Sequence, residues 1–364
     1  MMEERVYNFS AGPSAIPLPV LERAQRDLLC YPGAGCSVLE MSHRSPSFQA
    51  IIDEAEAVLR RVMRIPEDYA VLFMQGGATT QFSCVAMNLA DRGATMDYAV
   101  TGQFAGKALE EGKRWGNAVT VASSKAENFT HIPKITPDML DPDAAFLHIT
   151  GNNTIFGTCW NTLPETCDIP LVADWSSAIL GREIDVTRHA LIYAGAQKNL
   201  GPAGLAVVIL KKSLLGREID PVVPIMLRYK VAADNGSMYN TPPTFSIYIA
   251  KLMFDWVEEQ GGVPALQEVN EKKAALLYGA IEDSKLFNSP VAAEDRSIMN
   301  VPFTLPTKEE TEAFLAMAKG RGMINLKGHR LVGGCRASIY NGMPIEGVEK
   351  LVACMHDFEH GERA

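Results

Sequence analysis

The stretch "LIYAGAQKNLGPAGLAVVIL", residues 191–210, decides the fold. An apolar, β-prone run, Leu191 to Gly195, leads into small residues and one lysine, Lys198, with no acid among its immediate neighbours. A second apolar run, Leu205 to Leu210, follows. Two buried strands are expected, with an amine at the mouth of the sheet they belong to.

Further runs of strand character lie upstream at 70–74, 98–101, 119–122, 146–150 and 170–173. Helix-like segments such as "QFAGKALEEGKRW" separate several of them. Continuous apolar strands alternating with helices predict an α/β fold with a mainly parallel sheet covered on both faces. Ligands of such sheets bind at the carboxyl ends of the strands. Upstream again, "SPSFQAIIDEAEAVLRRV" carries apolar residues on one helical face from Phe48 to Val62, with Ser45 as N-cap and Pro46 at the first helical position.

Beyond residue 243 the pattern becomes α+β. Long helices are expected at 242–262 and 263–283, a strand in "SIMNVPFTL", a helix opened by the capping-box pair Thr307 and Glu310, a strand in "ASIYN", and a final helix at 345–360. The expected division is 18–255 and 256–364, with the long helix near 245–265 as linker and residues 1–17 packed near the site or the smaller domain.

Charge and composition narrow the function. The 364 residues carry 34 Lys and Arg against 43 Asp and Glu, a net charge of −9, which argues against nucleic-acid and anionic-membrane partners. There is no apolar run of bilayer-spanning length, and "MMEERVYNFSAG" lacks the apolar core of a signal peptide. The seven cysteines are scattered and never form CxxC, so neither a zinc site nor a disulfide framework is expected, and a cytoplasmic location is.

Read alone, Lys198 is a surface lysine or an amine that forms a Schiff base with pyridoxal 5′-phosphate (PLP). The second reading needs an acid for the ring nitrogen, a phosphate cradle and a flat face for the ring. Asp174, ending "IPLVAD", supplies the acid, or else caps a helix at "WSSAI". "MQGGATTQF" joins a strand to a helix through Gly76 and Gly77, and offers the backbone N–H groups of Ala78 and Thr79 to an anion. Phe104 could stack on the ring. Arg44 and Arg330, each preceded by histidine (His43, His329), and Arg336 are forks suited to carboxylate or phosphate. They fit a substrate with two acidic ends.

Together "GCSVLEMSHRS", "GGATTQF", "ADWSSAIL", "YAGAQKNLGPAG", "NGSMYNTPPTFSIY", "NVPF" and "LKGHRLVGGCRASIYN" resemble, in order and spacing, the phosphoserine aminotransferase family of class V, fold-type I PLP enzymes. The resemblance runs from "NFSAGPS" to the last helix. It implies a seven-stranded sheet in a large domain, a smaller C-terminal domain, and a homodimer with shared sites. It makes Lys198 the Schiff-base lysine and Asp174 the partner of the pyridine nitrogen. Ala78, Thr79 and Gln197 fall at the cofactor phosphate, and Thr154 near the phenolic oxygen. Asn240 and Thr241 would reach the phosphate held by the other subunit. Phe104 stands where many members have tryptophan, and Thr79 where some have arginine. Arg336 would take the α-carboxylate; His43, Arg44, His329 and Arg330 would surround the distal phosphate or γ-carboxylate, some from the neighbouring subunit. The implied reaction exchanges O-phospho-L-serine and 2-oxoglutarate for 3-phosphohydroxypyruvate and L-glutamate in serine biosynthesis, with 4-phosphohydroxy-L-threonine as a further candidate. Another class V enzyme, such as a small-substrate aminotransferase or a cysteine desulfurase using Cys335, and a non-catalytic PLP-binding protein are the rivals.

Overall fold

The computed structural model describes residues 5–361. Its strands are β1 (Tyr7–Asn8), β2 (Tyr69–Gln75), β3 (Thr95–Val100), β4 (Asn117–Ser123), β5 (Leu147–Thr150), β6 (Leu171–Asp174), β7 (Leu191–Gly195), β8 (Leu205–Lys211), β9 (Asn300–Phe303), β10 (Met323–Ile324) and β11 (Cys335–Ser338). Seven of them form one sheet in the order β2-β8-β7-β6-β5-β3-β4. Only β8 is antiparallel to its neighbours, β2 and β7. The chain between β7 and β8, 196–204, is too short for the crossover a parallel neighbour requires, so it folds straight back. Lys198 lies in that return. The carboxyl ends of β2, β3, β5, β6 and β7 share one edge of the sheet.

Alternation along the strands divides the core. Val71, Phe73, Ile192 and Ala194 face one side and pack with Phe48, Ile51 and Ile52 of the helix Pro46–Met63 and with Ile247 and Phe254 of the helix Thr244–Glu259. Leu72, Met74, Leu191 and Tyr193 face the other, against Phe82 and Val85 of the helix Ala78–Leu89 and Leu109 of the helix Gln103–Trp115. Full burial of each such side chain contributes about 1.5–3 kcal/mol. The strands are therefore apolar on both faces, as parallel strands must be. The crossovers from β4 to β7 contain no α-helix, only turns and 3-10 segments.

A third core gathers Phe287, Phe303, Phe314 and Phe358 with Phe9 from the N-terminal segment. The antiparallel pair β9–β11 lines it, and β1 pairs in parallel with β10, tying the N-terminus to this part of the molecule. Thr307 and Glu310 form the expected capping box, and Ser45 Oγ accepts from the Phe48 N–H at 3.2 Å.

Three local expectations shift. The long helix ends at Glu259 and a new one starts at Gly262, because Gly261 and Gly262 adopt φ of 94° and 80°, a left-handed conformation that breaks the ladder. No helix follows Asp174; residues 175–181 are turns. The strand expected in "ASIYN" sits earlier, at Cys335–Ser338, because the carbonyls of Ile339, Tyr340 and Met343 are instead taken by the buried amine of Lys273, each at 2.9 Å.

Candidate active site

Lys198 Nζ donates to Thr154 Oγ1 at 2.7 Å and lies 5.0 Å from the centroid of the Phe104 ring. Thr154 Oγ1 donates in turn to Ser177 Oγ at 3.0 Å, and Ser177 Oγ to the Asn152 carbonyl at 2.9 Å. Burial pulls the amine down from 10.5 to about 8, with Arg336 acting in the same direction and Asp174 against it. An amine near 8 is neutral often enough at physiological pH to attack a carbonyl or take a proton. The other buried lysine, Lys273, has all three donors engaged by carbonyls, which leaves it a structural clasp.

Asp174 ends β6, beside β7, and is 5% exposed. Its Oδ1 accepts from the Ser176 N–H at 2.9 Å and from Ser176 Oγ at 2.6 Å; Ser176 Oγ accepts from the Gly195 N–H at 2.9 Å. This turn fixes the carboxylate relative to the strand that leads to Lys198. Among the described residues no hydrogen bond reaches Oδ2. Oδ2 keeps access to solvent at the carboxyl end of the sheet, so it is free to receive a cation or N–H. A protonated pyridine nitrogen is such a group.

The phosphate end has a matching recess. A Cβ on Gly195 would stand 2.7 Å from Gln197 Oε1 and 3.2 Å from the Ala78 nitrogen. The end of β7, the Gln197 amide and the first N–H of the helix Ala78–Leu89 therefore converge on one small space. Gly77, the N-cap, supplies no side chain to the helix terminus, and Thr79 is exposed beside it. Free N–H groups at a helix N-terminus attract an anion. Gln75 Nε2 donates to Asn240 Oδ1 at 2.8 Å and to the Thr241 carbonyl at 3.1 Å, so the "YNTPPT" segment stands at the end of β2, next to the glycine turn. These features fit PLP: an acid for the ring nitrogen, an amine, an aromatic face and a phosphate cradle.

Arg336, on β11, approaches from the other side. Its Nη1 donates to the Thr154 carbonyl at 3.4 Å, and its Nε is buried with no partner. Burial holds its guanidinium below the ordinary value. Burial, together with the charges of Arg336, Arg330 and Lys107, holds His329 below its ordinary value. The 327–335 loop closes on itself: the Gly328 N–H donates to the Gly334 carbonyl at 2.9 Å, and those of Val332 and Gly333 to the His329 carbonyl at 2.9 and 2.8 Å. Arg330 is exposed at its tip.

His43 and Arg44 occupy the turn before the helix Pro46–Met63, and within one chain no hydrogen bond, ion pair or ring contact joins them to Lys198, His329 or Arg336 among the described residues. The N-terminal segment does reach the site. Ser14 donates its N–H to the Gln197 carbonyl at 3.0 Å and its hydroxyl to the Lys198 carbonyl. Sequence reasoning gave no role to Ser14, Ser176 and Ser177, although they lie in the motifs "NFSAGPS" and "ADWSSAIL" that carry the resemblance. Lys107, one turn beyond Phe104 on the same helix, brings a further amine to within 5.7 Å of the Phe104 ring centroid.

The family model of class V aminotransferases (Aminotransferase class-V) matches residues 6–351. The chain belongs to the class V aminotransferases. It is 53% identical over 356 residues to the phosphoserine aminotransferase of Bacillus cereus, covering 98% of this chain and 99% of that one. Among solved structures, the phosphoserine aminotransferase of Bacillus circulans subsp. alkalophilus superposes with a TM-score of 0.95 at 44% identity, over 99% of this chain and 100% of the other. The PLP-bound phosphoserine aminotransferase of Trichomonas vaginalis does so with a TM-score of 0.92 at 38% identity, over 97% and 100%. The fold is thus that of the fold-type I aminotransferases, and PLP is the cofactor of the family. Among the described residues no helix is long and apolar enough to cross a membrane.

Proposed function

We propose that this class V aminotransferase exchanges the amino group reversibly between O-phospho-L-serine and 2-oxoglutarate, giving 3-phosphohydroxypyruvate and L-glutamate. The observation that carries the reading is the placement of the Lys198 amine between the carboxylate of Asp174, whose Oδ2 accepts no hydrogen bond, and the basic side chains of Arg336, His329 and Arg330, which make no ion pair among the described residues. A substrate with an acidic group at each end suits that arrangement. The phosphoserine aminotransferases at 38–53% identity supply the substrate class.

PLP, when bound, supplies a reactive aldehyde and a ring that accepts electrons from the substrate's α-carbon. The chain's own residues do the rest. Asp174 Oδ2 would hold a proton on the cofactor's ring nitrogen, and Phe104 would offer its ring as the flat face beside it. Thr154 orients Lys198 Nζ near the phenolic oxygen. Ala78, Thr79 and Gln197 hold the phosphate, with Asn240 and Thr241 reaching across from a partner subunit. Arg336 grips the α-carboxylate through its fork and fixes the α-carbon within reach of Lys198. Lys198 Nζ would take the α-proton as a general base and hold it as the ammonium, ready to return it as a general acid. His329 and Arg330, with His43 and Arg44 contributed by the second subunit of a homodimer, take the distal phosphate or the γ-carboxylate. Residues 18–255 form the cofactor-binding domain and 256–364 the smaller one. The enzyme works in the cytoplasm, in serine biosynthesis.

The desulfurase reading is disfavoured by Cys335, which is fully buried with its thiol pushed up to about 12 by burial. A persulfide carrier needs an accessible thiolate. The test is glutamate formation by the purified, PLP-loaded protein from 2-oxoglutarate and phosphoserine, with L-alanine and L-aspartate as competing donors. Phosphoserine is expected to dominate. Dominance of alanine or aspartate would overturn the substrate and leave the PLP site intact.

A further inference from the structure

Phe104 has a cation on it besides Lys198. Lys107 Nζ lies 5.7 Å from the same ring centroid whose distance from Lys198 Nζ is 5.0 Å. Phe104 and Lys107 are three positions apart on the helix Gln103–Trp115, so their side chains share a face. That face is fixed toward the site. A Cβ on Gly102, the residue before the helix, would stand 2.8 Å from Asn153 Oδ1 and 3.2 Å from the Phe156 ring, so the helix start is pressed onto the loop that carries Thr154. The charge of Lys107 is also felt at His329, across the cleft on the 327–335 loop. The helix's other lysine is engaged: Lys113 donates to Glu110 at 2.8 Å. Lys107 forms no ion pair among the described residues.

We infer that Lys107 is a specificity-determining residue that contacts the distal phosphate of the substrate and reads its second negative charge. The inference rests on the substrate class proposed above. A phosphate monoester carries close to two charges near pH 7, and a γ-carboxylate one. Arg336 is committed to the α-carboxylate, and burial together with three nearby cations disfavours the charged form of His329. Within one chain Arg330 alone is then a fixed positive charge for the distal group. Lys107 supplies a second. Its amine lies 5.7 Å from the Phe104 centroid and its charge acts on His329 of the 327–335 loop, so a distal phosphate held at that loop meets a second positive charge. A carboxylate, with one charge and two oxygens, gains less from the second cation.

The experiment compares phosphoserine and glutamate as amino donors for the PLP-loaded wild type, K107M and K107R. Lys107 is exposed and mid-helix, and methionine keeps its length and helix propensity, so K107M folds. The expected result is that K107M lowers the ratio of kcat/KM for phosphoserine over that for glutamate roughly tenfold, mainly through KM, as loss of one charge-assisted contact does. K107R restores most of the ratio. Inorganic phosphate should inhibit K107M less strongly than wild type, in competition with the donor. An unchanged ratio, or equal losses for both donors, would overturn the role of Lys107 while leaving the substrate reading in place. A wild type that does not turn over phosphoserine would overturn both.

Discussion

The backbone N–H of Asn341 donates to Asn199 Oδ1 at 3.1 Å, which joins the residue after Lys198 to the chain five residues beyond Arg336. Asn199 Nδ2 donates to the Ile179 carbonyl at 2.7 Å, and Asn341 Nδ2 to the Leu180 carbonyl at 2.9 Å. Asn270 Nδ2 bridges Asn341 Oδ1 and the Gly181 carbonyl, both at 2.8 Å. One buried polar network thus ties the chain segment that carries Lys198 to the segment that follows Arg336. Replacing Asn199 by alanine leaves a buried carbonyl and a buried N–H without partners. Each costs about 1–3 kcal/mol. Asn199→Ala should therefore lower the urea midpoint. At temperatures where it stays folded it should raise KM for the amino donor more than it lowers kcat. An unaltered midpoint would show that the network carries no net stability.

The depressed Lys198 amine gives a pH prediction whose sign is fixed. With a folded value of about 8 against 10.5 in an unfolded chain, the unfolded chain binds more protons between those limits. Stability contributed by this residue rises with pH across that window, and is lowest below about pH 8. In cofactor-free protein the neutral fraction rises through the same midpoint. The rate at which PLP is taken up covalently, followed by absorbance, should climb with pH through about 8 and level off above it. A midpoint near 10 would mean that the site does not desolvate the amine. Lys198→Ala should abolish turnover altogether.

Asp174→Asn keeps an oxygen for the Ser176 N–H and hydroxyl, so the turn should survive. What it removes is the charge that holds a proton on the ring nitrogen. Loss of a preorganised electrostatic contact of this kind lowers kcat by on the order of 10²–10³. Steady-state kinetics should show that loss with the melting temperature little changed. A kcat within a few-fold of wild type would remove Asp174 from the chemistry.

The sheet was legible because its strands are buried on both faces and so read as unbroken apolar runs; "LIYAG" matches β7, Leu191–Gly195. Asp174 stood out as a polar residue ending such a run and Lys198 as an amine just beyond one, but spacing alone also allowed a surface lysine and a helix cap; their roles at a cofactor came from the resemblance of the surrounding motifs. The network around Asn199 was not. Its partner Asn341 is 142 residues away, and a hydrogen bond between distant polar side chains leaves no periodic trace. The same holds for Ser176, whose hydroxyl relays Asp174 to Gly195. The β11 boundary failed because a strand pattern continues through Ile339 and Tyr340, while Lys273, far upstream, takes their carbonyls.

The sequence resemblance places Phe104 at a position where tryptophan is expected in other members, and its ring lies 5.0 Å from Lys198 Nζ. Phe104→Trp enlarges the face that packs on the cofactor ring. Aromatic pairing contributes about 0.5–1.5 kcal/mol beyond buried area. The variant should hold PLP roughly 2–10-fold more tightly in a dialysis or fluorescence titration. Weaker binding would mean that the space beside Asn153 and Phe156 is already full and that the larger ring is forced out of plane.

Arg44 tests whether the site is shared between subunits. It is exposed, and in a single chain nothing connects it to Lys198 or Arg336 among the described residues. If it serves the partner's site, Lys198→Ala and Arg44→Ala chains lack different halves of the machinery. A mixed dimer then has one site with both residues replaced and one with both intact. Random reassociation makes half of all dimers mixed, so about a quarter of all sites should be complete by the symmetry of a two-fold dimer. Neither variant alone should show more than residual phosphoserine turnover. Unfolding and refolding them together at equal concentrations should restore about a quarter of wild-type activity. Restoration requires that Arg44 act across the interface, because an arginine acting within its own chain would leave every mixed dimer with two defective sites. No gain on mixing, with mixed dimers verified by mass, would place Arg44 outside the partner's site.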